Sequence, residues 1–131
     1  MVYFECEVCG TRVSNEVSVL YDRSRLCEDG WSMKNQKDYL PEGFYIVGSD
    51  DDIYLDVEGD YLLNGEDVIM MDRFEAAPIE EYVTFYGCCE LTGEAPNTFC
   101  VNGHKYATEI SDHCSRVVQL HRDRVVPQFR D

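Results

Sequence analysis

Positive charge is scarce in this chain. Eleven Lys and Arg stand against 26 Asp and Glu in 131 residues, a formal net charge of −15. Such a chain repels a phosphate backbone rather than neutralising it, so direct DNA binding is not expected and a basic protein surface is the expected partner. Long apolar runs are missing as well. No stretch approaches the ~18 residues of a membrane span, and Met1-Val2-Tyr3-Phe4-Glu5 lacks the basic start and apolar run of a secretory signal. A cytoplasmic location without membrane attachment is the expectation. Two familiar nucleotide-binding signatures are absent, the Gly-x-x-x-x-Gly-Lys loop and the dinucleotide glycine fingerprint, and no His-x-Glu precedes a Pro-Cys-x-x-Cys as in zinc deaminases.

What the chain does hold is enough apolar matter for one small domain: 44% hydrophobic residues, with nine Tyr, six Phe and one Trp. Its acidity is uneven. Residues 1–49 carry 8 acids and 5 bases, residues 50–82 carry 12 and 1, and residues 83–131 carry 6 and 5. The middle block nevertheless has hydrophobic periodicity, which an acidic tail lacks. Ile53, Leu55 and Val57 alternate with polar or amphipathic residues as in a half-buried strand. Glu58-Gly59-Asp60 reads as a turn, Tyr61-Leu62-Leu63 as a short strand, and Asn64-Gly65 as a hairpin turn before Val68. These suggest an antiparallel meander with one wet, acidic face. On that face Asp52, Asp56, Glu58 and Asp60 are candidate partner-binding residues. Calcium is disfavoured there, because the sixth position of a loop counted from Asp56 is Tyr61 rather than glycine.

Val2–Val8, Phe44–Val47 and Tyr82–Tyr86 are further strand-like runs. One helix is expected, at the C-terminal end. Ile110, Cys114, Val117, Val118, His121 and Val125 recur at spacings of three and four, Thr108 or Ser111 can cap the start, and Pro127 can end it. The expected class is therefore α+β: an antiparallel sheet or meander with one C-terminal helix and a zinc-knuckle or ribbon-like N-terminal element.

Seven cysteines is an odd number for a disulfide framework, and a reducing compartment favours metal ligation or burial instead. Cys6-Glu7-Val8-Cys9-Gly10 is the strongest motif. Two thiolates two residues apart on a tight turn suit one edge of a tetrahedral zinc, and the glycine lets backbone amides approach the sulfurs. Seventeen residues separate Cys9 from Cys27, a ribbon-like interval, but no second cysteine follows Cys27. The N-terminal third resembles treble-cysteine or zinc-ribbon-like pieces in which Cys-x-x-Cys-Gly is followed by Leu-Cys-x-x-Gly-Trp and Asp-Tyr-Cys-Pro-x-Cys. Leu26-Cys27-Glu28-Asp29-Gly30-Trp31 and Asp38-Tyr39-Leu40-Pro41-Glu42-Gly43 occupy that frame, with Leu40 and Gly43 where the last cysteines would be. Cys89-Glu90-Leu91-Thr92-Gly93 is similar to a Cys-x-x-Thr-Gly turn that stands in for a zinc knuckle in some ribosomal proteins. The candidate ligands of a structural zinc are thus Cys6, Cys9, Cys27 and Cys89. Cys100, His104, His113 and Cys114 can join Cys88 or Cys89 in a separate site, or serve as core residues.

The expected function is a non-catalytic, zinc-stabilised acidic protein that binds a basic protein surface, as inhibitors, immunity-type proteins and DNA mimics do. An alternative is a zinc-supported adaptor that contacts a protein or RNA through Arg116, Arg122, Arg124 and Arg130 on and after the last helix. A thiol enzyme using Cys88 or Cys89 with His104 or His113 as base is a third reading.

Overall fold

The computed structural model describes residues 1–27, 38–52, 57–69, 85–86, 91–92, 98–110 and 116–130. Among these the chain is mostly β-sheet, with no helix of seven residues or more. The ten strands are β1 (Val2–Cys6), β2 (Ser18–Val19), β3 (Phe44–Val47), β4 (Tyr61–Leu63), β5 (Phe85–Tyr86), β6 (Leu91–Thr92), β7 (Thr98–Phe99), β8 (Lys105–Ile110), β9 (Val117–Leu120) and β10 (Val125–Phe129). Six of them form one sheet in the order β2-β3-β4-β9-β8-β7, antiparallel except for the parallel β2–β3 pair. β1 and β10 pair antiparallel, as do β5 and β6.

The α+β expectation is overturned at its helix. The segment read as helical is β8, β9 and β10, joined at one end by a turn in which Arg124 N–H bonds the His121 carbonyl. The cause lies in two-sided burial. Val118 and Leu120 face a core shared with Phe4, Val13, Val17, Tyr45 and Leu63, while Val117 faces a second core with Leu20, Tyr39, Leu40, Ile46 and Leu62. All four residues of β9 are buried, its polar member Gln119 donating to Asp60 at 2.8 Å, so the strand shows only the brief Val118-Gln119-Leu120 alternation. The β-branched content of Val117, Val118, Val125 and Val126 was the better signal, since such side chains suit a pleated surface.

Pro127 does not stop a helix either. It lies in β10 opposite Phe4, whose N–H goes to Ser14 Oγ at 2.9 Å and whose carbonyl accepts from Val13 N–H at 2.8 Å. That register asks no hydrogen bond of residue 127 toward β1, so the missing proline N–H costs the ladder nothing.

The middle block also departs from a simple meander. Tyr61–Leu63 forms a strand, but its partners are β3 and β9 rather than the segment that follows it. Asn64-Gly65 does not make a two-residue hairpin. Instead Asn64 Oδ1 caps a short 3-10 turn over Gly65–Asp67 by accepting from Glu66 N–H at 2.8 Å, and its Nδ2 donates to the Leu40 carbonyl at 2.8 Å. Residues 53–56 of the predicted strand, with Asp56, lie outside the described residues. No helix among the described residues is long and apolar enough to cross a membrane.

His121 sits where β9 turns toward β10. Its Nδ1 is 3.5 Å from Asp60 Oδ2, and its Nε2 is 2.7 Å from Thr108 Oγ1. A neutral ring with its proton on Nδ1 serves both, accepting from the threonine hydroxyl. Burial pulls the His121 pKa down, opposed by the Asp60 carboxylate. Because the folded value is depressed, the unfolded chain takes up the proton first as pH falls. This histidine's share of stability is therefore complete above the unfolded value near ~6.5 and is lost as pH falls through the folded one. An imidazole titration followed by NMR should place the His121 midpoint below ~6.5; a midpoint above that value would show that Asp60 outweighs burial.

Candidate metal centre

β1 runs into a tight turn at Cys6 and returns antiparallel along itself. Cys6 N–H bonds the Thr11 carbonyl at 2.7 Å, Gly10 N–H bonds the Cys6 carbonyl at 2.8 Å, and Val17 pairs with Val2 at the far end. Gly10 has φ of 75°, a left-handed conformation that a side chain would strain.

A second turn of the same kind joins β7 to β8. Cys100 N–H bonds the His104 carbonyl and Gly103 N–H bonds the Cys100 carbonyl, each at 2.9 Å, with Gly103 at φ of 84°. Packing of β1 and β10 over the six-stranded sheet brings the two turns tip to tip. Cys9 Sγ lies 3.7 Å from Cys100 Sγ, Cys100 Sγ lies 3.4 Å from His104 Nδ1, and Cys6 Sγ lies 3.8 Å from the same nitrogen. The ligand atoms of Cys6, Cys9, Cys100 and His104 all fall within 4.8 Å of one another, and this Cys3His group can hold a metal ion. Its cysteines are unbridged.

The site spans the protein boundary, with Cys6 and Cys100 buried and Cys9 exposed. Burial pushes the Cys6 thiol up. Cys9 is lowered to about 5, chiefly by the Thr11 hydroxyl 3.1 Å from its sulfur, with the Asn102 side chain as the next contributor. Asn102 Nδ2 also reaches Thr11 Oγ1 at 3.5 Å, so the Thr11 hydroxyl meets the sulfur of one turn and accepts from the other. A thiolate so stabilised is the form in which cysteine ligates a metal.

Of the residues singled out in the sequence, Cys6 and Cys9 are thus joined by Cys100 and His104. Cys27 stands apart. Its N–H bonds the Tyr39 carbonyl at 2.8 Å, and it lines an open groove with Arg25, Asp38 and Glu42. Cys88, Cys89, His113 and Cys114 lie outside the described residues. The signal for the second turn was the run Cys100-Val101-Asn102-Gly103-His104, in which Asn-Gly marks a tight turn between two ligand types. Nothing local joins it to a knuckle more than ninety residues earlier.

The acidic residues sort differently from one another. Asp52 is buried, its carboxylate accepting from Arg23 at 2.6 Å, from the Tyr39 hydroxyl at 2.8 Å and from Ser49 N–H at 2.7 Å. Asp60 accepts from Gln119 Nε2 at 2.8 Å and Arg122 N–H at 2.9 Å. Glu58 is exposed. Among the arginines, Arg116 grips Asp38 through two bonds of 2.7 Å, and Arg130 pairs with Glu16 at 2.7 Å. Asp60, His121 and Thr108 line up like an acid, base and hydroxyl relay, but Thr108 is fully buried and its hydroxyl meets no substrate from solvent.

No protein-family model, curated protein or solved structure matches this chain.

Two substitution pairs test these placements. Cys100→Ser should lower bound metal per chain well below one in elemental analysis, whereas Cys27→Ser should leave it unchanged; the reverse pattern would move the site to Cys27. In denaturant unfolding, Asp52→Ala should cost about 3 kcal/mol by stranding buried donors, while Asp51→Ala, on an exposed position, should stay within ~0.5 kcal/mol.

Proposed function

We propose that this chain is a non-catalytic interaction protein whose fold is stapled by one zinc ion. The observation that carries the reading is the closed donor set. Three sulfurs and one imidazole nitrogen come from two turns, and they account for all four positions of a tetrahedral ion, leaving no open position for a substrate. Zinc bonds of about 2.3 Å to sulfur and about 2.0 Å to nitrogen give tetrahedral edges of about 3.8 Å and about 3.5 Å. The Cys9–Cys100 and Cys100–His104 separations of 3.7 and 3.4 Å match those edges, the Cys6–His104 separation of 3.8 Å is slightly longer than its edge, and all four donors lie within 4.8 Å of one another. Soft thiolates with one imidazole favour zinc over calcium or magnesium, which prefer oxygen. Cys6, Cys9, Cys100 and His104 would hold the ion, and its contribution would be to cross-link β1 to the β7–β8 hairpin. Ligand binding and folding then share one free energy.

What the stapled domain presents outward is negative charge. Glu7, Asp22, Glu42, Asp50, Asp51, Glu58 and Asp123 are exposed, and Arg23, Arg116 and Arg130 are tied to carboxylates of the same chain, although Arg12, Arg25, Arg122 and Arg124 are exposed among them. The partner this favours is a basic protein surface, in the manner of an inhibitor or a DNA mimic. Because Asp52 and Asp60 serve internal hydrogen bonds, the exposed Asp50, Asp51 and Glu58 are the acidic residues of the middle segment best placed to meet it.

Native mass spectrometry of untagged protein should find one zinc per chain, and chelation at neutral pH should lower the melting temperature by about 10 °C or more. An unchanged melting temperature after complete metal removal would sink the staple. Joint charge reversal at Asp50, Asp51 and Glu58 should leave the melting temperature within a few degrees of wild type and weaken salt-sensitive association with a basic protein, read by titration at low and physiological salt. Equal binding by both proteins would remove the acidic surface from the proposal.

A further inference from the structure

We infer that Cys9 and Cys100 form an oxidisable pair, a site at which a hydroperoxide converts the metal cross-link between the two turns into a covalent one. Three observations place it. Cys9 is exposed, so a small solvent-borne oxidant reaches its sulfur directly. Cys100 is buried behind it, with the two sulfurs 3.7 Å apart. A disulfide needs about 2.05 Å, so the sulfurs must close by less than 2 Å, within reach of side-chain rotation and a small shift of either turn. Both turns are held by their own backbone hydrogen bonds, which do not involve the two sulfur atoms.

The chemistry balances with hydrogen peroxide as the oxidant. The Cys9 thiolate attacks one peroxide oxygen; the S–O bond forms, the O–O bond breaks, and hydroxide leaves, giving a sulfenic acid. The Cys100 thiolate then attacks the Cys9 sulfur. The S–S bond forms, the S–O bond breaks, and a second hydroxide leaves. Two thiolates have lost two electrons, and the peroxide has gained them. An ion held by the four donors would keep only Cys6 and His104, and it would dissociate. That release rests on the zinc reading above; formation of the disulfide does not.

The geometry also selects the partner within the group. Cys6 shares a turn with Cys9, but it is buried, and its sulfur, within 4.8 Å of Cys9 Sγ, meets His104 Nδ1 at 3.8 Å. Cys100 approaches from the opposite turn with its sulfur facing Cys9. The disulfide would therefore join residues 91 positions apart and preserve the tie between β1 and the β7–β8 hairpin after the ion has gone.

The test treats the full chain, once as purified and once stripped of metal under reducing conditions, with hydrogen peroxide. Remaining thiols are alkylated and the products mapped by peptide mass spectrometry. The expected product is a reductant-sensitive pair of peptides containing Cys9 and Cys100, lighter by two hydrogens than their sum. In the metal-bound sample one ion per chain should reach a colorimetric chelator in step with the cross-link. Cys27→Ser should give the same yield of cross-link, and in Cys100→Ser a dione probe should trap Cys9 as sulfenic acid. A first product joining Cys6 to Cys9, or Cys9 oxidised to sulfinic acid without a cross-link, would overturn the inference. A cross-link in protein that never binds metal would support the pair and reject the zinc staple; tight metal binding with thiols untouched by peroxide would do the opposite.

Discussion

The register of β1 is the constraint from which most of this structure follows. One edge of the strand pairs with β10, which comes from the far end of the sequence, and the other with residues 11–17, which return from the Cys6–Gly10 turn. Phe4 is fixed by its bonds to Val13 and Ser14 and points into the core against Tyr45 and Tyr61, with ring centroids 5.8 and 4.7 Å away. Each such aromatic contact contributes about 1 kcal/mol beyond burial. The same register delivers Cys6 to the end of the strand, where the turn can face β7 and β8. A slip of one residue would reverse every side chain, taking Phe4 out of the core and Cys6 away from its partners.

Carboxylates substitute here for part of the regular secondary structure. The strands are short, and the segments between them are cross-linked by acids acting as acceptors. Asp38 takes Arg116 and Gly65 N–H, Asp52 gathers donors from Arg23, Tyr39 and Ser49, Asp60 ties the turn after β9 to the start of β4, and Asp67 accepts from Gly43 N–H at 2.7 Å. A net charge of −15 therefore overstates what the surface offers, because several of the acids are spent inside the fold.

Legibility in the sequence followed locality. Phe44–Val47 and Tyr61–Leu63 were read with their observed bounds, and the Cys6–Cys9 turn was evident, because each is announced by adjacent residues. β9 is misread because a strand buried on both faces needs only a brief alternation, and three- and four-residue spacings across β8 to β10 then arise by coincidence. The pairing of Cys6 and Cys9 with Cys100 and His104 is a tertiary fact with no local trace. Cys27 was the nearest cysteine at a familiar interval, and interval alone says nothing about which turn the fold will bring across. Asp52 and Asp60 illustrate the same limit: an acid at the end of an alternating run reads as a surface group until its donors, which lie tens of residues away, are seen.

Pro127 has a further consequence for solubility. Along β10 the inner edge is taken by β1, and the imino nitrogen of the proline falls on the opposite edge, in the middle of the strand. A foreign strand laid along that edge would find no donor where its ladder needs one, and a second copy of this chain would bring its own −15 to the encounter. Among the described residues β10 pairs with β1 alone, so at this edge a single ring and a common charge both work against strand addition beside the first cysteine turn.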